Sequence, residues 1–213
     1  MTPQDASKKA RELCNLAPVI PVLVVEKVAH GEPLARALVA GGLPVLEVTL
    51  RTPVALKVIA AMRDVPGGVV GAGTLVTPED VKAAKEAGAK FGVAPGATDI
   101  LLKACEDADL PLLAGAATAT EAMSLLERGY SVQKFFPAEA SGGVAALKAI
   151  AGPLPQISFC PTGGVSLKNA AQYLALPNTL CVGGSWVAPG NLMAAGDWAG
   201  IEALAREASK LQR

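Results

Sequence analysis

The chain has 213 residues, with 19 basic and 19 acidic side chains and a formal net charge of zero, so no basic surface is expected to attract a nucleic acid. Its 51% hydrophobic content is enough to bury one large core, and a single domain over residues 1–213 is expected. No run of about 18 apolar residues occurs, and the polar, amphipathic start "MTPQDASKKARELC" lacks the apolar stretch of a secretory leader, so a cytoplasmic protein with no membrane span is expected.

That start predicts a helix. Behind it, short apolar strands alternate with helical stretches, the pattern of a parallel sheet with helical crossovers. Strands are expected at 19–25, 45–50, 69–74, 91–94, 112–115, 131–136, 157–160 and 179–182. In "LARALVAGGLPVLEVTL", "DVKAAKEAGAKFGVAPG" and "EAMSLLERGYSVQKFFP" a glycine stands where a left-handed residue ends the helix. Eight such units predict an α/β fold closed into a (β/α)8 barrel with an N-terminal helix. An open doubly wound sheet would usually carry GxGxxG after its first strand, and "VLVVEKVAHGEP" has none.

The only histidine, His30, reads as a loop or helix-entry residue. Cys14, Cys105, Cys160 and Cys181 show no CxxC spacing and read as small buried groups in a reducing compartment, so no metal site is expected.

In such a barrel the active site lies at the carboxyl ends of the strands. In "VLEVTLRT" alternation puts Glu47, Thr49 and Arg51 on one face and Leu46, Val48 and Leu50 on the other. The aliphatic face meets the helices, so Glu47, Thr49 and Arg51 point into the barrel or its mouth. A Glu47–Arg51 pair that only stabilises the interior is one reading. Buried pairs are poor stabilisers, which leaves room for a chemical role.

In "SVQKFFPAE" Lys134 shares a face with Val132 and Phe136. A snorkelling lysine would need a sheet edge, and a closed barrel has none. An amine held among apolar neighbours loses solvation, which favours the neutral form that attacks a ketone to give a Schiff base. Glu47, the one acidic residue expected inside a strand, is the candidate to move the protons.

"VGAGTLVTPED" ends the third strand at Thr74 and opens a helix with Thr77 as cap, a proline and an acidic first turn. Gly-rich turns follow the last two strands, "CPTGGVS" and "CVGGSW". Together, at that place in a barrel, they match the common phosphate site, where glycines let backbone N–H groups approach the anion and Ser185 adds a hydroxyl.

"LEVTLRT", "VGAGTL", "KFFPAE", "FCPTGG" and "CVGGSW", with "PVIPVLVV" near the start and "ALVAGG" before the second strand, make the chain resemble the 2-keto-3-deoxy-6-phosphogluconate aldolases over nearly its whole length. The resemblance implies a (β/α)8 barrel, a homotrimer and class I chemistry with no metal or other cofactor. The implied partners are small molecules: 2-dehydro-3-deoxy-6-phospho-D-gluconate, cleaved to pyruvate and D-glyceraldehyde 3-phosphate in the Entner–Doudoroff pathway. Many relatives also cleave 4-hydroxy-2-oxoglutarate. Carried over by motif, Lys134 resembles the Schiff-base lysine, Glu47 the general acid/base and Arg51 the group that holds the pyruvyl carboxylate. Thr74 and Pro95 match residues lining the substrate channel, and Thr162, Gly163, Gly164, Gly184 and Ser185 match the phosphate end.

One stretch departs. The family reads close to "PGIST" after the fifth strand, and "AGAAT" (114–118) stands here, which leaves less hydroxyl chemistry near the pocket. A run like "ATATEA" is found in aldolases for the galactonate epimer. That epimer and the unphosphorylated 4-hydroxy-2-oxo acid are the alternative substrates. A silent phosphosugar-binding barrel or assembly module is the alternative outside catalysis.

Overall fold

The computed structural model describes residues 1–212. Its elements run α1 (Pro3–Asn15), β1 (Val19–Leu23), a 3-10 turn (Val28–His30), α2 (Gly31–Ala40), β2 (Val45–Thr49), α3 (Ala55–Met62), β3 (Val69–Gly73), α4 (Pro78–Ala87), β4 (Gly92–Val93) and α5 (Asp99–Asp107). They continue with β5 (Leu112–Ala116), α6 (Ala119–Arg128), β6 (Val132–Phe135), α7 (Gly143–Ala151), β7 (Ser158–Pro161), α8 (Ala170–Leu174), β8 (Val182–Gly184), α9 (Gly190–Ala195) and α10 (Trp198–Ala208).

Local chemistry sets the helix ends. Thr77 and Asp80 form a reciprocal capping box at α4, and Thr118 and Glu121 form another at α6, each satisfying amides that the first turn leaves free. Gly88 and Gly129 end those two helices with φ of 101° and 111°. At the end of α2 the left-handed residue is Gly42, with φ 92°, and Gly41 stays right-handed.

All eight strands are parallel, in the order β7-β6-β5-β4-β3-β2-β1-β8. β8 pairs with β1 from Val19↔Val182 to Pro21↔Gly184, and it also meets β7 through the bridges Phe159↔Thr179 and Thr162↔Gly183. The sheet therefore returns on itself as the expected (β/α)8 barrel, and the open-sheet alternative is excluded.

β8 differs from its expected 179–182. Its ladder is set by β1, which begins at Val19, so the regular strand starts at Val182 and takes in both glycines expected to form a turn. Gly183 belongs there sterically: a Cβ on it would stand 3.1 Å from Thr162 Cβ. β4 shrinks to two residues, β1 stops at Leu23, and β5 runs one residue further, to Ala116.

Two apolar layers follow from strand alternation. Outward residues such as Leu46, Val48, Leu112, Phe135 and Phe159 pack with Leu34, Leu38, Ile59 and Leu102 of the helices. Each fully buried aliphatic side chain of this kind contributes about 1.5–3 kcal/mol. Inward residues Ile20, Val45, Phe91, Leu113, Val132 and Cys160 fill the barrel together with Ala10 and Cys14 of α1. α1 is tied beneath the strands by side chains. Ser7 Oγ accepts the amides of Ser131 (2.9 Å) and Val132 (3.0 Å), and Arg11 Nη2 donates to Ser158 Oγ (3.1 Å). This helix closes the amino-terminal end of the barrel. No helix among the described residues is long and apolar enough to cross a membrane.

Candidate active site

Every residue of β2 is buried, and alternation turns Glu47 inward. Lys134 comes from the opposite part of the ring, on β6. Its Nζ donates to Glu47 Oε1 at 3.2 Å, with the two residues 5% and 2% exposed. The same nitrogen stands 5.2 Å from the centroid of the Phe136 ring, whose electron-rich face favours a cation. Burial pushes the Glu47 carboxyl above its ordinary value. The charge of Lys134 pulls it back, as does that of Arg51, and Cys160 raises it. A carboxyl raised in this way can both take and return a proton near an amine.

The Glu47–Arg51 pair weighed from sequence does not form; Glu47 pairs with Lys134 instead. β2 ends at Thr49, so Arg51 lies beyond the strand in an exposed turn. Its Nε donates to Thr49 Oγ1 (3.2 Å), and Thr49 Oγ1 donates to Leu23 O (2.9 Å). The guanidinium is thus tethered through one nitrogen at the mouth.

The ends of β3, β4 and β5 supply backbone. Thr74 is half-buried at φ 64°, a left-handed conformation that a β-branched residue adopts only under strain. Pro95 is also half-buried, and its backbone lies over Gly115, where a side chain would strike the carbonyl of Ala94 at 2.7 Å. Gly115 is therefore the inward residue of "AGAAT". Ala114 and Ala116 face the helices in the outer core. Ala117 and Thr118 give their amides to Glu121 Oε2, at 2.8 and 2.9 Å, as the cap of α6. Two of the departures from "PGIST" thus lie outside the barrel interior, and the third sits in a helix cap.

At the end of β7, Thr162 is buried, and Gly163 and Gly164 take φ of 100° and 78°. Thr162 O accepts from the Ala138 amide (2.8 Å) and Gly163 O from the Glu139 amide (3.0 Å), both after β6. In a trans peptide the N–H points opposite to the C=O. The amides of Gly163 and Gly164 therefore point away from β6, toward the β8 side that carries Gly184 and Ser185. Through the Thr162↔Gly183 bridge the Gly163 amide faces the Gly183 carbonyl, while among the described residues the Gly164 amide donates to no other protein group. Gly184 is buried against Trp186, and Ser185 is exposed. Beside Ser185 a cleft of about 750 Å³ opens, lined by Val22, Val24, Lys27, His30 and Trp186 among others. His30 precedes α2 and meets Trp198 edge-on, with ring centroids 5.4 Å apart.

Two contributors were not expected at the site from sequence, where Cys160 read only as a small buried group. Cys160 is the register partner of Lys134 and lies beside the pair as a buried free thiol. Gly73 gives space to the Glu47 side chain. The first was present in a quoted motif, and the second depends on strand tilt.

Comparison with known proteins bears on this arrangement. A family model described as "Aldolase: KDPG and KHG aldolase" matches residues 10–204. The KHG/KDPG aldolase of Escherichia coli K12 is 50% identical over 200 residues, 93% of this chain and 94% of that protein. The crystal structure of the 2-keto-3-deoxy-6-phosphogluconate aldolase of Zymomonas mobilis ZM4 with 3-phosphoglycerate superposes with a TM-score of 0.92. It is 49% identical and covers 97% of this chain and 98% of its own. That of the KDPG aldolase of Legionella pneumophila, with pyruvate captured at low pH as a covalent carbinolamine, gives 0.91 at 45% identity over 94% and 98%.

Proposed function

Because this chain belongs to the KDPG and KHG aldolase family, we propose that it is a carbon–carbon lyase that splits 2-dehydro-3-deoxy-6-phosphogluconate into pyruvate and glyceraldehyde 3-phosphate, the closing step of the Entner–Doudoroff pathway. The observation that carries this reading is the buried Lys134–Glu47 contact of 3.2 Å.

Glu47 takes a proton from Lys134, and the amine so freed adds to the ketone at carbon 2. Glu47 donates and accepts the protons that turn the carbinolamine into an iminium with loss of water. The iminium draws electrons. Glu47 then removes the proton of the carbon-4 hydroxyl, the bond between carbons 3 and 4 breaks, and its electron pair passes into an enamine. Glyceraldehyde phosphate leaves, carbon 3 is protonated, and water releases pyruvate and the lysine. The covalent pyruvate carbinolamine of the Legionella relative supports this route. Arg51 binds the substrate carboxylate, for which a guanidinium offers two parallel donors. Thr74 and Pro95 line the channel. The phosphate lies against Thr162, Gly163, Gly164, Gly184 and Ser185, supported by the direction of the two glycine amides and by the Gly164 amide having no protein acceptor among the described residues. The working form is a homotrimer of single-domain barrels in the cytoplasm, a reading that rests on the family.

A second reading is favoured by the E. coli relative's double name: cleavage of unphosphorylated 4-hydroxy-2-oxoglutarate at the same pair. Comparing turnover on this acid, the phosphogluconate and its galactonate epimer separates the substrates. Borohydride reduction in the presence of pyruvate tests the chemistry. The expected result is a pyruvate-dependent mass gain on the peptide carrying Lys134. No gain there, or a gain elsewhere, excludes the mechanism and favours a silent barrel.

A further inference from the structure

The Thr162–Gly164 segment is held from behind at each of its three carbonyls. The amides of Ala138 and Glu139 take the first two, and Asn169 Nδ2 donates to Gly164 O at 3.2 Å. Asn169 is itself oriented, because its Oδ1 accepts the Ser166 amide at 2.7 Å. Glu139 also works as a wedge. A Cβ on Gly164 would stand 2.7 Å from Glu139 Cβ and 2.5 Å from its Cγ, so the loop lies directly on that side chain. Glu139 would swing freely on its own, being exposed, but Tyr173 prevents this. The Tyr173 ring is 0% exposed, and its hydroxyl donates to Glu139 Oε1. Gly143 lets the two oxygens meet, each 3.3 Å from where its Cβ would be.

Tyr173 and Asn169 both belong to the α8 region, and neither hydrogen-bonds to Lys134 or Glu47. Their shared effect is to fix the direction in which the Gly163 and Gly164 amides point. A flexible glycine pair would otherwise lose entropy on gripping an anion, and holding it in advance removes that loss.

We propose that Tyr173, through Glu139, and Asn169 are positioning residues that hold the glycine loop open for the phosphate of the substrate. They therefore set the preference for phosphorylated over unphosphorylated keto acids. The inference rests on the phosphate reading given above.

The test compares Tyr173→Phe and Asn169→Asp with the unaltered protein on 2-dehydro-3-deoxy-6-phosphogluconate and on 4-hydroxy-2-oxoglutarate. Tyr173→Phe deletes one hydroxyl and keeps the buried ring. Asn169→Asp keeps the acceptor for Ser166 and loses the donor to Gly164. The expected result for each is a KM for the phosphorylated substrate raised roughly five- to tenfold, as for one lost hydrogen bond. The kcat stays within about twofold, and KM for 4-hydroxy-2-oxoglutarate is unmoved, a split that general loosening of the fold does not produce. Folded variants with unchanged KM, or with KM raised equally on both substrates, overturn the inference. If the unaltered protein shows no preference for the phosphorylated substrate and no competition by inorganic phosphate, the phosphate reading itself falls.

Discussion

Gly73 on β3 and Glu47 on β2 share one volume: a Cβ on Gly73 would lie 2.7 Å from Glu47 Cγ and 2.9 Å from its Cδ. The register partner of Gly73 is Thr49, so Glu47 reaches it diagonally across the tilted strands. The carboxyl faces Lys134 because the neighbouring strand has no side chain at that point. Gly73→Ala is therefore expected to cost about 1–3 kcal/mol of stability through overpacking and, by displacing the carboxyl, to lower kcat by roughly ten- to a hundredfold. Circular dichroism should show the barrel retained. Full activity in the alanine variant would mean that Glu47 tolerates displacement.

Lys134→Met should abolish pyruvate trapping and lower turnover by roughly four orders of magnitude or more, as loss of a covalent nucleophile does. It also strands the Glu47 carboxyl. An unpartnered buried charge costs about 3–5 kcal/mol, so the urea midpoint should fall. Adding Glu47→Gln to Lys134→Met should restore part of that loss. A double variant less stable than the single one would contradict the pairing.

Burial pushes the Glu47 carboxyl up, so the folded chain keeps its proton to a higher pH than the unfolded chain, where a glutamate titrates near about 4.3. This protonation contributes stability that is fully present below about pH 4.3 and is lost as pH rises through the raised folded value. Urea denaturation between pH 4 and 8 should show the stability of the unaltered protein, relative to Glu47→Gln, falling as pH rises. A relative stability that grows with pH reverses the sign and refutes the direction.

Thr74 is strained at φ 64°, a conformation that costs a non-glycine residue about 1–2 kcal/mol. Thr74→Gly relieves it and removes the hydroxyl. Net of the chain entropy that glycine adds, the variant should gain up to about 1 kcal/mol of stability, read as a higher melting temperature, and bind substrate less well. A lower melting temperature together with unchanged KM would leave the strain without a functional counterpart.

Activity should survive dialysis against a strong chelator, since the proposed route needs only an amine and a carboxyl. Loss of turnover on chelation, with recovery on adding a divalent cation, would point to a metal-dependent aldolase.

The barrel was legible because period-two alternation is local. Glu47 and Thr49 turn inward and Leu46 and Val48 outward whatever their neighbours do. Partnership is not local. Arg51 shares the parity of Glu47 but lies past the end of β2, so the carboxyl meets a lysine 87 positions away instead. The span of β8 was missed because its ladder is set by β1, about 160 residues earlier in the chain. The "AGAAT" segment looked like part of the pocket until its parity was known. Once Gly115 is the inward residue, Ala114 and Ala116 must face the helices. Tyr173, Asn169 and Glu139 carried no recognisable spacing, since what unites them is a loop they support from two separate segments, the turn after β6 and the α8 region.

With α1 sealing its amino-terminal end, the barrel is a cup and not a pipe. Lys134 is level with Cys160, two residues nearer the bottom than the turn that begins at Thr162. Whatever is bound to the lysine is thus stacked under whatever occupies the rim. Under the proposed chemistry this makes the traffic last in, first out: the aldehyde fragment must clear the opening before pyruvate can be set free. In the condensing direction the keto acid must enter first.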